Sequence, residues 1–285
     1  MISSDGVAIC IIGMHRSGTS MVARLLNLAG LDLGDPAQFL DPQADNPLGF
    51  WENREIMDLN DRLLATNGGS WMEPPQWKKG WESASDMPAF REEAAAILRR
   101  AYGGREAVQW GWKDPRTTLT LPFWKYVVGS LRLVLVIRNP VDVAQSLAIR
   151  HGWSTQFGML LWKQYMDAAF RYSVGMPMFV TFYDDYFHDP RREMKRLLKF
   201  CGIHLNIGEV NFFETIQHDQ WHYRTDRRGL LLCRDCPDEL KFMYFGVQQM
   251  KEDIESGAIY FGPQESSAGR SGNAVLCEGD VREKC

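Results

Sequence analysis

The sequence predicts an α/β fold with a mainly parallel central sheet flanked by helices, and three observations predict it. Short apolar runs alternate with segments of helical spacing along the chain. One run, Leu131 to Ile137, is nearly continuous in aliphatic residues, as a central strand buried on both faces requires. Near the start, an apolar run, a glycine-bounded loop and a helical segment follow one another directly.

Taken in order, Val7 to Ile12 reads as a short buried strand. Met21 to Ala29 has helical spacing and a glycine stop at Gly30. Residues 31–50 are rich in Asp, Pro, Gly and Asn and read as a loop. Glu52 to Leu64 regains helical periodicity through Ile56, Leu59, Leu63 and Leu64. Residues 68–88 read as irregular, and Phe90 to Tyr102 as a helix ended by Gly103-Gly104. Val108 to Trp112 is a short strand candidate. After the Leu131 to Ile137 strand, Asn139-Pro140 caps a helix with proline at its first position. A helix over 156–173, a strand from Met178 to Tyr183 and helices over Arg191–Phe200 and Glu239–Glu255 complete the pattern. Residues 264–285 are small and polar and read as a disordered tail, which leaves one expected domain over 1–263.

The 285 residues are 45% hydrophobic and 24% charged, which fits one α/β domain with a substantial core. A net charge of −4 gives no broad basic footprint, so nucleic acid is not an expected partner. No apolar run approaches the roughly 20 residues that span a bilayer. The N-terminus shows no basic region followed by an apolar one, so no signal peptide is expected and the cytoplasm is the default compartment. The six cysteines, Cys10, Cys201, Cys233, Cys236, Cys277 and Cys285, are irregularly spaced, as in a reducing compartment. Cys233-Arg-Asp-Cys236 is a lone C-x-x-C. A metal there would need two further ligands, for which His218 and His222 are the candidates, and the plainer reading is two thiols in a loop and helix start. No metal is expected.

The chemistry concentrates in three strand ends. Gly13-Met14-His15-Arg16-Ser17-Gly18-Thr19-Ser20 joins the first strand to the first helix, a geometry that aims backbone N–H groups and a helix N-terminus at one anion. The loop resembles a P-loop, but Thr19 stands where the lysine of a nucleotide triphosphatase belongs, and a cation appears three positions earlier at Arg16. Trp110-Gly111-Trp112-Lys113-Asp114-Pro115-Arg116 closes the second strand candidate. Arg138-Asn139-Pro140 closes the third, with Ser146 eight positions after Arg138. The C-terminal edge of such a sheet is where ligands bind.

The first loop resembles the 5′-phosphosulfate-binding loop of sulfotransferases that use 3′-phosphoadenosine 5′-phosphosulfate (PAPS), many of which have lysine at the Arg16 position. The strand–Arg-Asn-Pro–helix unit with its later serine resembles their 3′-phosphate motif, and the two lie in the family's order about 125 residues apart. The likeness runs from about residue 7 to 205 and includes Tyr183-Asp184-Asp185 after a late strand and Leu197 to Gly202 at a helix end. It implies a P-loop-like three-layer fold. It also implies that PAPS is held by Gly13, His15, Arg16, Ser17, Gly18, Thr19 and Ser20 at the 5′ side and by Arg138 and Ser146 at the 3′-phosphate. Tyr183 is then expected near the adenine, and Arg227-Arg228-Gly229 as a basic loop closing over the 3′-phosphate. Met21 occupies the position where cytosolic members often place a tryptophan on the adenine.

For catalysis, Asn46-Pro47-Leu48-Gly49-Phe50-Trp51-Glu52 resembles the Gly-aromatic-aromatic-Glu segment of a bacterial sulfotransferase group. Glu52 is therefore the expected general base. Its competing role is that of a helix first-turn carboxylate stabilised by the macrodipole, and His151 is the alternative base. Lys113 and Arg16 are expected to stabilise developing charge, and Arg116 and Trp51 to meet the acceptor. The many tryptophans of the first half, and the long 68–82 stretch with Trp71, Trp77 and Trp81, suit an acceptor with ring faces, read as a carbohydrate or glycoconjugate hydroxyl. Two rival functions stand beside this one: a small-molecule kinase using ATP and Mg²⁺, and a non-catalytic nucleotide-binding module. Oligomeric state has no signature in the sequence.

Overall fold

The computed structural model describes residues 7–43, 46–103, 109–205, 216 and 223–256. The expected tail over 264–285, the end of the expected domain and the candidate ligands His218 and His222 lie outside them.

Four strands form one sheet: β1 (Ala8–Gly13), β2 (Trp110–Lys113), β3 (Leu131–Ile137) and β4 (Met178–Phe182). Their spatial order is β2-β1-β3-β4 and every pairing is parallel. In register, Ala8 faces Trp110 on one side and Leu131 on the other. The chain leaves β1 toward β2 and then crosses to the far side of β1 for β3 and β4. That reversal opens a crevice at the strands' carboxyl ends.

Strand alternation assigns the two faces. Ala8, Cys10 and Ile12 of β1, with Leu133, Leu135 and Ile137 of β3, join one buried cluster. Against it pack α2 (Arg54–Thr66), α3 (Met87–Tyr102), α4 (Thr117–Val127), α5 (Pro140–His151), α6 (Thr155–Tyr172) and α10 (Asp238–Ser256). Ile9 and Ile11, with Val134 and Val136, join the opposite cluster. There α1 (Thr19–Leu28), α7 (Asp185–His188) and α8 (Pro190–Cys201) cover the sheet. The result is the three-layer α/β arrangement that the alternating pattern predicts.

Several elements begin a few residues from their predicted starts, α2 at Arg54 and α3 at Met87 among them. The first helix starts at Thr19, since Gly18 caps it in the left-handed conformation. The second strand occupies Trp110–Lys113. Three helices escape the sequence pattern altogether. α4 carries Thr117, Thr118, Thr120 and an internal Pro122, all poor helix formers, and is held by burial of Leu119, Phe123 and Trp124. α7 and α9 (Arg227–Leu232) are single short turns below the length at which periodicity is visible. Cys233 and Cys236 lie between α9 and α10 as free thiols, and burial pushes Cys236 up to about 11. Among the described residues no cluster of three His, Cys, Asp or Glu side chains is placed to hold a metal ion, and no helix is long and apolar enough to cross a membrane.

Candidate active site

The phosphate loop is shaped at both ends by glycines that nothing else can replace. Gly13 has φ 141°, and a Cβ there would lie 2.4 Å from the Val136 carbonyl oxygen of β3. Its N–H donates to Thr118 Oγ1 (3.0 Å), and the Thr118 hydroxyl donates back to the Gly13 carbonyl (3.2 Å), so α4 anchors the loop's start. Gly18 has φ 89°, and a Cβ there would fall 2.1 Å from Cδ2 of Tyr183. Between them Arg16 holds a left-handed φ of 69°. No side chain caps the N-terminus of α1, which leaves its first N–H groups for a ligand. Ser17 Oγ is enclosed without a hydrogen-bond partner among the described residues. A buried orphan hydroxyl beside uncapped N–H groups and an arginine fits a phosphosulfate group.

The second anion element meets the first directly. Arg16 Nε donates to Ser146 Oγ of α5 at 2.9 Å. Arg138, at the end of β3, donates to the Arg16 carbonyl (3.3 Å) and to the Tyr223 carbonyl (3.4 Å), and its guanidinium lies 4.6 Å from the centre of the Tyr183 ring. Trp162 of α6 donates to the Arg138 carbonyl at 3.0 Å. Asn139 donates to the Thr225 carbonyl (2.9 Å), and Thr225 donates through its hydroxyl to Asp142 (2.6 Å). Tyr183 thus braces Arg138 and walls the loop at Gly18.

Arg227 and Arg228, expected to close over the 3′-phosphate, stand next to the segment that docks there. The segment docked on the 3′ element is Tyr223–Thr225. Arg227 and Arg228 are exposed at the start of α9, and Arg227 lies 4.9 Å from the centre of the Phe245 ring. The chain turns into a helix at Asp226, whose side chain accepts from the Gly229 N–H.

Glu52, Lys113 and Arg116 converge on the other side of the loop. Glu52 is 5% exposed and Lys113 1%. Lys113 Nζ donates to Glu52 Oε1 (2.5 Å) and to Ser20 Oγ (3.2 Å), which ties the carboxylate to the phosphate loop. Arg116 approaches Glu52 Oε2 at 3.5 Å and is fixed by Asp61 (2.7 Å) and Asp114 (3.0 Å). Burial raises the Glu52 carboxyl above its ordinary range, and nearby Asp114 adds to this. Lys113 and Arg116 pull it back without cancelling the rise. Behind these groups Asn60 donates to Asp114 (2.8 Å) and Thr117 (3.1 Å) and accepts from Thr120 (2.7 Å) and Trp124 (2.8 Å).

A cavity of about 270 Å³ opens beside Glu52 and Arg116, reaching His15, Arg16, Phe50, Trp71 and His151. His15 packs 4.3 Å from Trp71 and edge-on to Tyr165, and its Nε2 is enclosed without a partner among the described residues. Burial, with Arg116, Lys113, Arg150 and Arg16 around it, holds the imidazole neutral well below its usual pKa. His151 stacks on Trp153 at 4.3 Å. Trp51, expected to meet the acceptor, does not line this cavity. Its indole donates to the Leu48 carbonyl (2.9 Å) and packs on Phe39, and Phe50 lines the cavity instead. The left-handed φ of 61° at Trp51 turns the chain there. Sequence reasoning passed over Asn60 and Thr118. The available signal was Asn60, an amide on the apolar stripe of α2 between Leu59 and Leu63.

Residues 8–206 match the family model described as "Sulfotransferase family". No curated protein sequence matches the chain significantly. Among solved structures, the chain is similar to the sulfotransferase STF9 of Mycobacterium avium at 15% identity, covering 89% of this chain and 77% of that one, with a TM-score of 0.47. It is also similar to the sulfotransferase domain of the Synechococcus PCC 7002 olefin synthase, at 14% identity, 92% and 98% coverage and a TM-score of 0.47. A sulfotransferase from Alicyclobacillus acidocaldarius is similar at 14% identity, 84% and 96% coverage and a TM-score of 0.42.

Proposed function

Since this chain belongs to the sulfotransferase family, we propose that it moves the sulfuryl group of PAPS to an acceptor hydroxyl, on a carbohydrate or glycoconjugate, and releases 3′-phosphoadenosine 5′-phosphate (PAP). The observation that carries the donor assignment is the bond between Arg16 and Ser146, with Arg138 at hydrogen-bond distance of the same loop. It unites a 5′-type and a 3′-type anion element in one crevice. A kinase-type triphosphate site relies on a loop lysine, and Thr19 stands in its place.

In this reading the loop N–H groups, Arg16 and Ser17 hold the 5′ side, and Arg138 and Ser146 hold the 3′-phosphate. When bound, PAPS supplies the sulfuryl group, whose bond to the 5′-phosphate oxygen breaks as sulfur bonds the acceptor oxygen, the leaving PAP keeping the electron pair. Glu52 takes the acceptor's proton at a carboxylate oxygen, a task helped by its raised basicity. Lys113, between Glu52 and Ser20, places positive charge where negative charge grows. Arg116 orients the acceptor. Trp71 and Phe50 offer ring faces of the kind sugars stack on.

The test is calorimetric binding of PAP, ADP and ATP, with and without Mg²⁺. The expected result is metal-independent PAP binding that exceeds ATP binding. Preference for ATP with Mg²⁺ returns the kinase reading. PAP binding without any transfer from labelled PAPS across sugar, lipid and phenol acceptors favours the non-catalytic module.

A further inference from the structure

The cavity beside the phosphate loop is cationic in a chain whose net charge is −4. Arg16, Arg54, Arg116 and Arg150 line it, against the carboxylates Asp41 and Glu52 among the described residues. The four arginines come from four separate places: the loop after β1, the start of α2, the turn after β2 and the last turn of α5. They surround about 270 Å³, and like charges gathered around a small volume favour an opposite charge within it. Such a wall is complementary to an anion, and it penalises a neutral guest that strips water from guanidinium groups without replacing it.

The four arginines divide into two pairs. Arg116 is held by Asp61 and Asp114, and Arg16 turns toward Ser146 on the donor side. Arg54 donates to the Phe39 carbonyl (3.0 Å) and to Asp41 (2.8 Å), with 43% of its side chain exposed. Arg150 donates to the Gln43 side chain (3.1 Å) and lies 5.3 Å from the centre of the Phe50 ring. Both guanidiniums line the cavity, and the planar fork of an arginine matches a carboxylate or a phosphate.

Resting on the donor reading above, we propose that the acceptor is itself anionic: a hydroxyl compound bearing a carboxylate or phosphate, which Arg150 and Arg54 grip while its hydroxyl faces Glu52. The acid group selects the substrate, and Trp71 and Phe50 support the body that joins acid to hydroxyl.

The experiment uses the full chain saturated with PAP, so that the donor phosphate sites are filled. Two matched pairs are titrated by calorimetry: 4-nitrophenyl β-D-glucuronide against the glucoside, and glucose 6-phosphate against glucose. The expected result is that at least one charged member binds roughly tenfold tighter than its neutral partner, as one charge-assisted contact gives. The preference falls with added salt and shrinks toward unity in Arg150→Gln or Arg54→Gln, while both variants keep their PAP affinity. The pair that shows it separates a carboxylate from a phosphate. Equal binding within both pairs, a preference untouched in both variants, or no binding by any of the four compounds overturns the proposal. Loss of PAP binding in the unaltered chain is a different failure and removes the donor reading instead.

Discussion

Arg16 and Ser146 lie 130 positions apart in the chain and meet through a hydrogen bond of 2.9 Å. The bond needs β1 and β3 as parallel neighbours, the left-handed turn at Arg16 and the first two turns of α5. It joins the two anion elements before any ligand arrives. Ser146→Ala should leave the fold intact and weaken PAP roughly tenfold, the cost of one hydrogen bond to a charged group. Adenosine 5′-phosphate, which lacks the 3′-phosphate, should lose much less. Calorimetry with both nucleotides checks this, and equal losses would take Ser146 out of the 3′ site.

Glu52 is enclosed and paired, so its role can be separated from nucleotide binding. Glu52→Gln should preserve PAP affinity and cut turnover about 100-fold or more, the usual worth of a general base. The pH dependence has a definite sign. The base acts when deprotonated, so kcat/KM should fall as pH drops through a value above the ordinary carboxylate range, because burial lifts the Glu52 carboxyl. Residual activity in Glu52→Gln should lack that acid limb. A variant with normal turnover, or one that keeps the limb, would move the base elsewhere, with His15 and His151 next in line on the cavity wall.

The stability of the catalytic wall rests on Asn60. Its amide serves Asp114, Thr117, Thr120 and Trp124, all of them buried. Asn60→Ala would strand a carboxylate oxygen and an indole N–H away from water. The expected loss is about 3–5 kcal/mol in urea unfolding, the range for breaking a buried charged or networked contact. Asn60→Asp should fare no better, since it sets a second carboxylate against Asp114. A loss under about 1 kcal/mol would show that water replaces the amide.

Much of this site was legible because its residues stand at strand ends. Arg138 follows an unmistakable aliphatic strand, and Lys113 and Arg116 flank the proline turn after a shorter one, so topology alone carried them to one edge. Phe50 rather than its neighbour Trp51 lines the cavity. In a loop no period fixes which of two adjacent aromatics faces a cavity, and the left-handed φ at Trp51 decided for Phe50. Tyr223 and Thr225 meet Arg138 and Asn139 through backbone carbonyls, which any residue type supplies, so the sequence carries no signal for that contact. α4 hid because tertiary burial, acting through Leu119, Phe123 and Trp124, overrides the weak helix propensity of its threonines and proline.

Asp142 fastens that docked segment and gives the fold a pH dependence of its own. Its carboxylate is fully buried and accepts from the Thr225 hydroxyl (2.6 Å) and N–H (3.2 Å). Burial lifts the carboxyl to about 6, while the Thr225 bonds and Arg138 pull the other way. In the unfolded chain the group ionises near 3.9. Below that pH both states are protonated and Asp142 costs nothing. Between about 4 and 6 the folded state keeps a proton that the unfolded state has released, so stability falls as pH rises. Above that window both states are ionised and the full penalty stands, on the order of 2–3 kcal/mol. Asp142→Asn retains an amide oxygen for Thr225 and removes the charge. The variant should match the parent near pH 4 and exceed it by about 2 kcal/mol at pH 7, read from urea unfolding across that range. Other groups titrate in both proteins and cancel in the difference. A difference that stays flat with pH would mean that Asp142 folds with its proton already lost, held by Arg138 and Thr225 at no net cost.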